Sequence, residues 1–312
     1  MSESYLSDDK DVSASERHRV AQRITWVSVV VNLVLTALQV VVGTLAQSQA
    51  LIADGIHTLS DLVADFVVLL AARHSRKEPD ADHQYGHHRF ETAASMVLGL
   101  LLLSVGVGML WGAVGKLSAP DDIAAVKPIA LYVALFTLLA KELLFRYMLK
   151  AAERVRSNML VANAWHARSD AASSLVVAMG ILGNLLGYPM LDPVAALIVG
   201  FMVGKMGWEF AWNALSDLMD RSATQEQLDH IQALLQETPG VAGVHDVRTR
   251  KMGDMIVVDA HLEVDGSLTV RQGHDIATHA RNRVMKALPV LDVMTHLDPI
   301  PHTDHETPRT PH

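Results

Sequence analysis

Long apolar runs alternate with short polar connections over the first two thirds of the chain. Six runs have lengths near the roughly 20 residues that a helix needs to cross the hydrocarbon core of a bilayer. They cover residues 24–46, 49–73, 96–111, 123–150, 159–186 and 193–212. The bilayer core offers no water to backbone polar groups, so we expect each run to be helical. The pattern predicts a six-helix transmembrane domain over residues 21–213.

The pattern changes beyond residue 213. Residues 224–237 and 270–288 have the period of amphipathic helices, and residues 244–250, 255–264 and 293–297 have the short apolar or alternating patterns typical of strands. The fold class predicted is therefore an α-helical polytopic membrane protein with a C-terminal α/β domain, in the order α-β-β-α-β, over residues 214–299. Residues 1–20 and 300–312 lack apolar periodicity, which predicts disorder there.

Composition narrows the functional classes. Half of the 312 residues are hydrophobic and the mean hydropathy is +0.22, so membrane lipid is the expected surroundings of the apolar part. The sequence contains no cysteine, which excludes disulfides and thiolate metal sites. The net charge of -8 argues against nucleic acid as a partner.

The second apolar run carries a stripe of ionisable residues. At 100° per residue, four side chains fall within a stripe roughly 80° wide on one helix face: Asp54, His57, Asp61 and Asp65. An acid at the middle of a membrane helix costs about 2.5 to 3.5 kcal/mol on insertion scales. The stripe must therefore face protein, water or an ion rather than lipid.

The fifth run repeats this spacing with Asn163, His166, Asp170 and Ser174. Two His-x-x-x-Asp pairs supply two imidazole nitrogens and two carboxylates, which can close a tetrahedron around a borderline divalent ion such as zinc. The alternative is that each pair is a buried, mutually satisfied hydrogen bond.

The six spans, the paired motifs and the α-β-β-α-β domain together resemble the cation diffusion facilitator family. The resemblance implies a secondary active transporter, not an enzyme, that exports divalent transition metals, mostly zinc, in exchange for protons. It further implies a homodimer in the cytoplasmic (inner) membrane. The transport site would consist of His57, Asp61, His166 and Asp170.

Two alternatives to a zinc exporter stay open. Family members that export both iron and zinc usually carry aspartate where this chain has His57, so a broader exporter of iron, cadmium, cobalt or manganese is one alternative. A metal-gated channel or metal receptor with the same ligands is the other. An intramembrane metallohydrolase is disfavoured because the sequence has no His-Glu-x-x-His motif.

A second polar cluster lies between the second and third runs. Its Asp-x-x-His-x-x-x-His spacing resembles the loop metal site of the family, which implies Asp80, His83 and His87 as ligands, with Asp82 or His88 as substitutes. A polar loop with incidental histidines is the alternative.

A third cluster belongs to the α/β domain, where adjacent strands can bring distant residues within ligand distance. The strand residues are His245, His261, His296 and Asp298, and the resemblance adds His274. In the family this set binds paired zinc ions between subunits, so Zn²⁺ is expected as a structural ion as well as the substrate. Isolated surface histidines are the alternative. The resemblance also implies an interlocking charge network near the membrane surface, in which Arg89 and Asp220 would form a salt bridge of the dimer.

Basic residues predict the orientation. The connections between the second and third runs and between the fourth and fifth runs are rich in Lys and Arg, whereas the first-second and fifth-sixth connections have none. Because basic loops stay on the cytoplasmic side, both termini are expected to be cytoplasmic. The charges of the fourth run (Lys141, Glu142 and Arg146) are expected at its cytoplasmic end.

Overall fold

The computed structural model describes residues 14–75, 77–119, 123, 125–155 and 158–300. Within these helices only the backbone is described at residues 14–18, 21, 68, 69, 72, 158, 159, 162, 163 and 166. The chain forms two compact units. The first consists of residues 1–66 and 98–209, and the second consists of residues 67–97 and 210–312.

Each of the six apolar runs forms a long helix. The helices are α1 (Ala14–Ala46), α2 (Gln49–Ser75), α3 (Arg89–Leu117), α4 (Ile129–Arg154), α5 (Asn158–Leu185) and α6 (Leu191–Leu218). Residues Gln22–Ala46 of α1, together with α3 and α6, are long and apolar enough to cross a membrane by composition alone. Ionisable residues occur within α2, α4 and α5, which lowers the hydropathy of these three helices.

Some helix ends differ from the prediction. Helix α1 begins at Ala14, so residues 14–20 are helical where disorder was expected, and residues 1–13 and 301–312 lie outside the described residues. Helix α4 begins at Ile129 because Pro128 occupies its N-cap position. Proline has no backbone N–H to donate, which suits it to the start of a helix.

Small residues let the helices of the first unit approach closely. A Cβ atom built on Gly106 of α3 would lie 2.5 Å from the Cα atom of Gly204 in α6. On α2, a Cβ atom at Gly55 would lie 2.9 Å from a methyl group of Val40 in α1. Side chains at these positions would separate the helices, so the glycines fix where α2 can present its polar stripe.

The α/β part of the second unit has the predicted element order. Its elements are α7 (Gln225–Gln236), β1 (Gly243–Met252), β2 (Met255–Asp265), α8 (Val270–Ala287) and β3 (Val290–Ile300). Thr224 and Thr269 begin the two helices with capping boxes completed by Gln227 and Gln272. The glycine between β1 and β2, Gly253, has φ +62°, a conformation that favours glycine.

The sheet has the strand order β1-β2-β3, with β1 antiparallel and β3 parallel to β2. One face packs on the two helices and buries an apolar core that includes Ile231, Leu235, Val258, Leu262 and Val284. The alternate strand residues point to the other face of the sheet and are mostly polar. The histidines of the strands lie on that face, outside the core.

Candidate metal centres

The structure brings three of the four predicted transport-site residues together within the first unit. Ligand atoms of His57, Asp61 and Asp170 lie within 4.8 Å of one another, and His57 is only 5% exposed. The Nδ1 atom of His57 is 3.7 Å from Oδ2 of Asp61. A tetrahedral zinc site with bonds of about 2.0 Å has ligand atoms about 3.3 Å apart, so a small contraction would complete this geometry.

The fourth predicted ligand is His166, whose side chain lies outside the described residues. Its backbone belongs to α5 one turn before Asp170, so the two residues share a helix face. The backbone of Asn163 also belongs to this face of α5, and its side chain is likewise outside the described residues. The assignment of His166 as a ligand stays a prediction.

The prediction for the charges of α4 was wrong at Lys141. This residue is 4% exposed, near the midpoint of α4, and its ammonium lies 3.5 Å from Oδ1 of Asp54 on α2. The Oγ atoms of Ser173 and Ser174 on α5 also donate to Asp54. Asp54 is therefore paired inside the protein and is absent from the donor group of His57. The polar spacing on α5 indicated Ser174, but nothing in the sequence indicated Lys141.

The loop site gathers its three predicted residues within the second unit. Ligand atoms of Asp80, His83 and His87 lie within 4.8 Å of one another. Oxygens of Asp80 are 3.5 Å from Nδ1 of His83 and 3.4 Å from Nε2 of His87. The backbone N–H of His83 donates to Asp80 and lowers the pKa of that carboxyl, so the carboxylate is ready to bind a cation.

One member of the loop cluster is buried, which favours a bound ligand there. His87 is 3% exposed, and its Nδ1 atom has no hydrogen-bond partner among the described residues. An uncompensated buried polar atom is costly unless a ligand or water satisfies it. The proposed substitutes, Asp82 and His88, are not members of the donor group. His74, which the sequence reasoning missed, packs its ring edge against His87.

The histidines of the sheet form a row across the three strands. His245 pairs with His261 in the antiparallel ladder, and His261 pairs with His296 in the parallel ladder. The carboxylate of Asp298 joins the row, at 2.9 Å from Nδ1 of both His261 and His296. The hydrogen bond from His261, followed by the charge of His296, lowers the pKa of Asp298.

His274 is in the first turns of α8, where it contacts Thr278, and within one chain it belongs to neither donor group of the sheet. Its assignment to a site between subunits stays a prediction. Sequence reasoning missed Glu263, which lies 3.4 Å from His245, and Asp246, which joins His245 and His261 in a second donor group. Glu263 is two residues after His261 on β2, so strand alternation was a usable signal for it.

Arg89 and Asp220 form the expected charge pair, with 2.6 Å between Nη2 and Oδ1. Both side chains are substantially exposed, and exposed pairs typically contribute less than about 1 kcal/mol to stability. The pair lies within a single chain here.

The comparisons with known proteins agree with this architecture. Residues 25–219 match the family model described as the cation efflux transmembrane domain, and residues 223–300 match the model for the cytoplasmic domain of cation efflux proteins. The chain belongs to the cation diffusion facilitator family, whose members are transporters of divalent metal cations and not enzymes. The second match also indicates dimerisation through the α/β domain.

Several full-length relatives are similar to the chain. The manganese efflux system protein MneP of Bacillus subtilis is 32% identical, over 92% of this chain and 98% of its own length. Metal tolerance protein 2 of Oryza sativa is 34% identical, over 86% of this chain and 75% of its own length. The magnetosome protein MamB of Paramagnetospirillum magneticum is 30% identical, over 90% of this chain and 95% of its own length.

Proposed function

We propose that this protein exports a divalent transition metal, with zinc as the preferred ion, from the cytoplasm in exchange for protons. The observation that carries the proposal is the donor group of the buried His57 and the partly buried Asp61 and Asp170, contributed by α2 and α5. With His166 as the fourth ligand, the set would supply two imidazole nitrogens and two carboxylates. This combination suits zinc better than magnesium or calcium, which prefer all-oxygen sites.

Competition between metal and protons supplies the coupling. A metal binds neutral imidazole and ionised carboxylate, so protonation on the acidic outer side weakens binding and favours release. Alternating access would come from the helices moving about the site near the middle of the membrane. The protein would work as a homodimer in the cytoplasmic membrane, with both termini in the cytoplasm, as the basic residues of the α2–α3 connection favour.

The two remaining clusters have supporting roles in this proposal. The loop site of Asp80, His83 and His87 would collect metal on the cytoplasmic side, and its three ligands leave a position open for water or exchange. The row of histidines on the sheet would bind structural zinc and stabilise the dimer.

Manganese is the second candidate substrate, because MneP and MneS of Bacillus subtilis are both named manganese efflux system proteins. Manganese prefers carboxylate and water ligands, whereas the buried imidazole of His57 favours zinc. The chemistry of His57 is the reason that we place zinc first.

Metal uptake into proteoliposomes tests the proposal. Purified protein is reconstituted into vesicles with an acidic lumen, and zinc and manganese are supplied outside, separately and in competition. We expect zinc to accumulate faster than manganese, and faster with the pH gradient than after a protonophore removes it. Faster uptake of manganese than of zinc would mean that manganese, and not zinc, is the preferred substrate. Metal flux down its own concentration gradient at a rate that does not depend on the pH gradient would indicate a channel.

A further inference from the structure

A fixed positive charge lies beside the transport site without belonging to its donor group. The ammonium of Lys141 on α4 is 3.5 Å from Oδ1 of Asp54 on α2 and 3.4 Å from the backbone carbonyl oxygen of Asp170 on α5. Lys141 is 4% exposed and Asp54 is 1% exposed. Charges inside a membrane helix bundle are costly unless they are paired, so the presence of this pair points to a function.

The surroundings of Asp54 consist of hydrogen-bond donors and oxygen atoms. Ser173 and Ser174 donate to its carboxylate at 3.1 and 2.7 Å, and the amide of Gln39 donates to it from α1. Gln39 is fully buried, yet its Oε1 atom has no hydrogen-bond partner among the described residues. Asp54 therefore accepts hydrogen bonds from α1 and α5 in addition to its ion pair with Lys141 on α4.

Lys141 faces the same small cavity as two of the candidate ligands, Asp61 and Asp170. The cavity has a volume of about 10 Å³, and Lys141, Asp61 and Asp170 are among the residues that line it. Such a volume holds about one water molecule, so little solvent separates the ammonium from the two ligand carboxylates. Water screens charges less in such surroundings, so the charge of Lys141 would affect how strongly this site binds a cation.

We propose that Lys141 sets the net charge of the acidic cluster formed by Asp54, Asp61 and Asp170, and thereby the zinc affinity of the transport site. Three carboxylates, those of Asp54, Asp61 and Asp170, and one ammonium leave two negative charges, which match one divalent cation. The inference rests on the proposed transport function. It goes beyond that function because it assigns the ion pair to charge matching rather than to metal ligation.

If Lys141 acts through its charge, substitutions of Lys141 and Asp54 should change zinc KM in opposite directions. A purely structural role of the ion pair does not predict this. Lys141→Met leaves an extra negative charge, so zinc should bind more tightly and leave more slowly, and both KM and maximal rate should fall. Asp54→Asn removes a negative charge, so KM should rise. We expect shifts of about tenfold in opposite directions. The double variant Asp54→Asn/Lys141→Met keeps two negative charges and should have a zinc KM within about threefold of the unchanged protein.

The test measures zinc KM and maximal rate for all four proteins in proteoliposomes, with zinc affinity in detergent by calorimetry and the melting temperature of each variant. Opposite KM shifts that cancel in the double variant support the proposal. Shifts in the same direction, or a double variant impaired as much as the single variants, would overturn it and indicate a structural clamp. If both single variants fail to fold, the double variant decides alone, because the proposal requires near-normal zinc affinity. Absence of zinc transport by the unchanged protein would refute the proposed function instead.

Discussion

Single side chains decide which ions the membrane-spanning unit can bind. His57 is buried beside Asp61, and its imidazole is the one nitrogen donor described in the transport site. Helical spacing alone predicted that His57 and Asp61 share a face, because residues four apart on a helix are neighbours. The same spacing could not predict that Lys141 meets Asp54. That contact depends on which faces of α2 and α4 pack together, which is a tertiary property.

The substitution His57→Asp tests the role of the imidazole in selectivity. A third carboxylate adds negative charge and a harder oxygen donor, which favours manganese and iron(II) relative to zinc. We expect the preference for zinc over manganese to fall by about tenfold, equivalent to about 1.4 kcal/mol. Competitive uptake of the two metals into proteoliposomes measures this ratio. An unchanged ratio would mean that His57 does not contact the transported ion.

Helices and strands determine which polar residues can meet. The alternation of β2 and β3 predicted a shared face for His261 and His296, and the parallel register pairs them directly. His274 was assigned by resemblance rather than by spacing, and within one chain it does not join this row, so its assignment stays a prediction. The start of α4 was placed too early because the apolar pattern continues through the segment before Pro128.

The connection between α2 and α3 offers a matched pair of substitutions. His87 belongs to the loop donor group and is buried, whereas the adjacent His88 is outside the group. We expect His87→Ala to weaken zinc binding at the loop by more than about tenfold. Loss of a residue that only hydrogen-bonds to a metal ligand already costs at least about tenfold in metal affinity, and loss of a ligand should cost more. Transport should slow at low zinc concentrations and recover at high concentrations.

His88→Ala is the control for this prediction and should leave zinc uptake at low concentrations nearly unchanged. Initial rates across a range of zinc concentrations distinguish the two variants. Equal slowing by both would indicate a general effect on the loop. A complete loss of transport in folded His87→Ala protein would mean that every transported ion must first bind at the loop site.

The whole molecule combines a membrane-spanning unit with a sheet domain of the kind through which the family dimerises. The sequence was sufficient to predict the six helices and the α-β-β-α-β order, because the period and length of each apolar segment indicate which residues are buried in a helix or strand. It was insufficient for the buried network around Asp54, which requires side chains from four helices. We propose that the transported ion passes through the donor group of α2 and α5.

Zinc uptake by Asp61→Asn protein tests that claim most directly. The amide keeps the size of the side chain but removes the charge that a divalent ion requires, and Asp65→Asn on the same helix, which lies outside the donor group, is the matched control. We predict that purified Asp61→Asn protein inserts and dimerises normally but takes up zinc no faster than protein-free liposomes, while Asp65→Asn retains most of the uptake. Zinc uptake by Asp61→Asn at the rate of the unchanged protein would contradict the account.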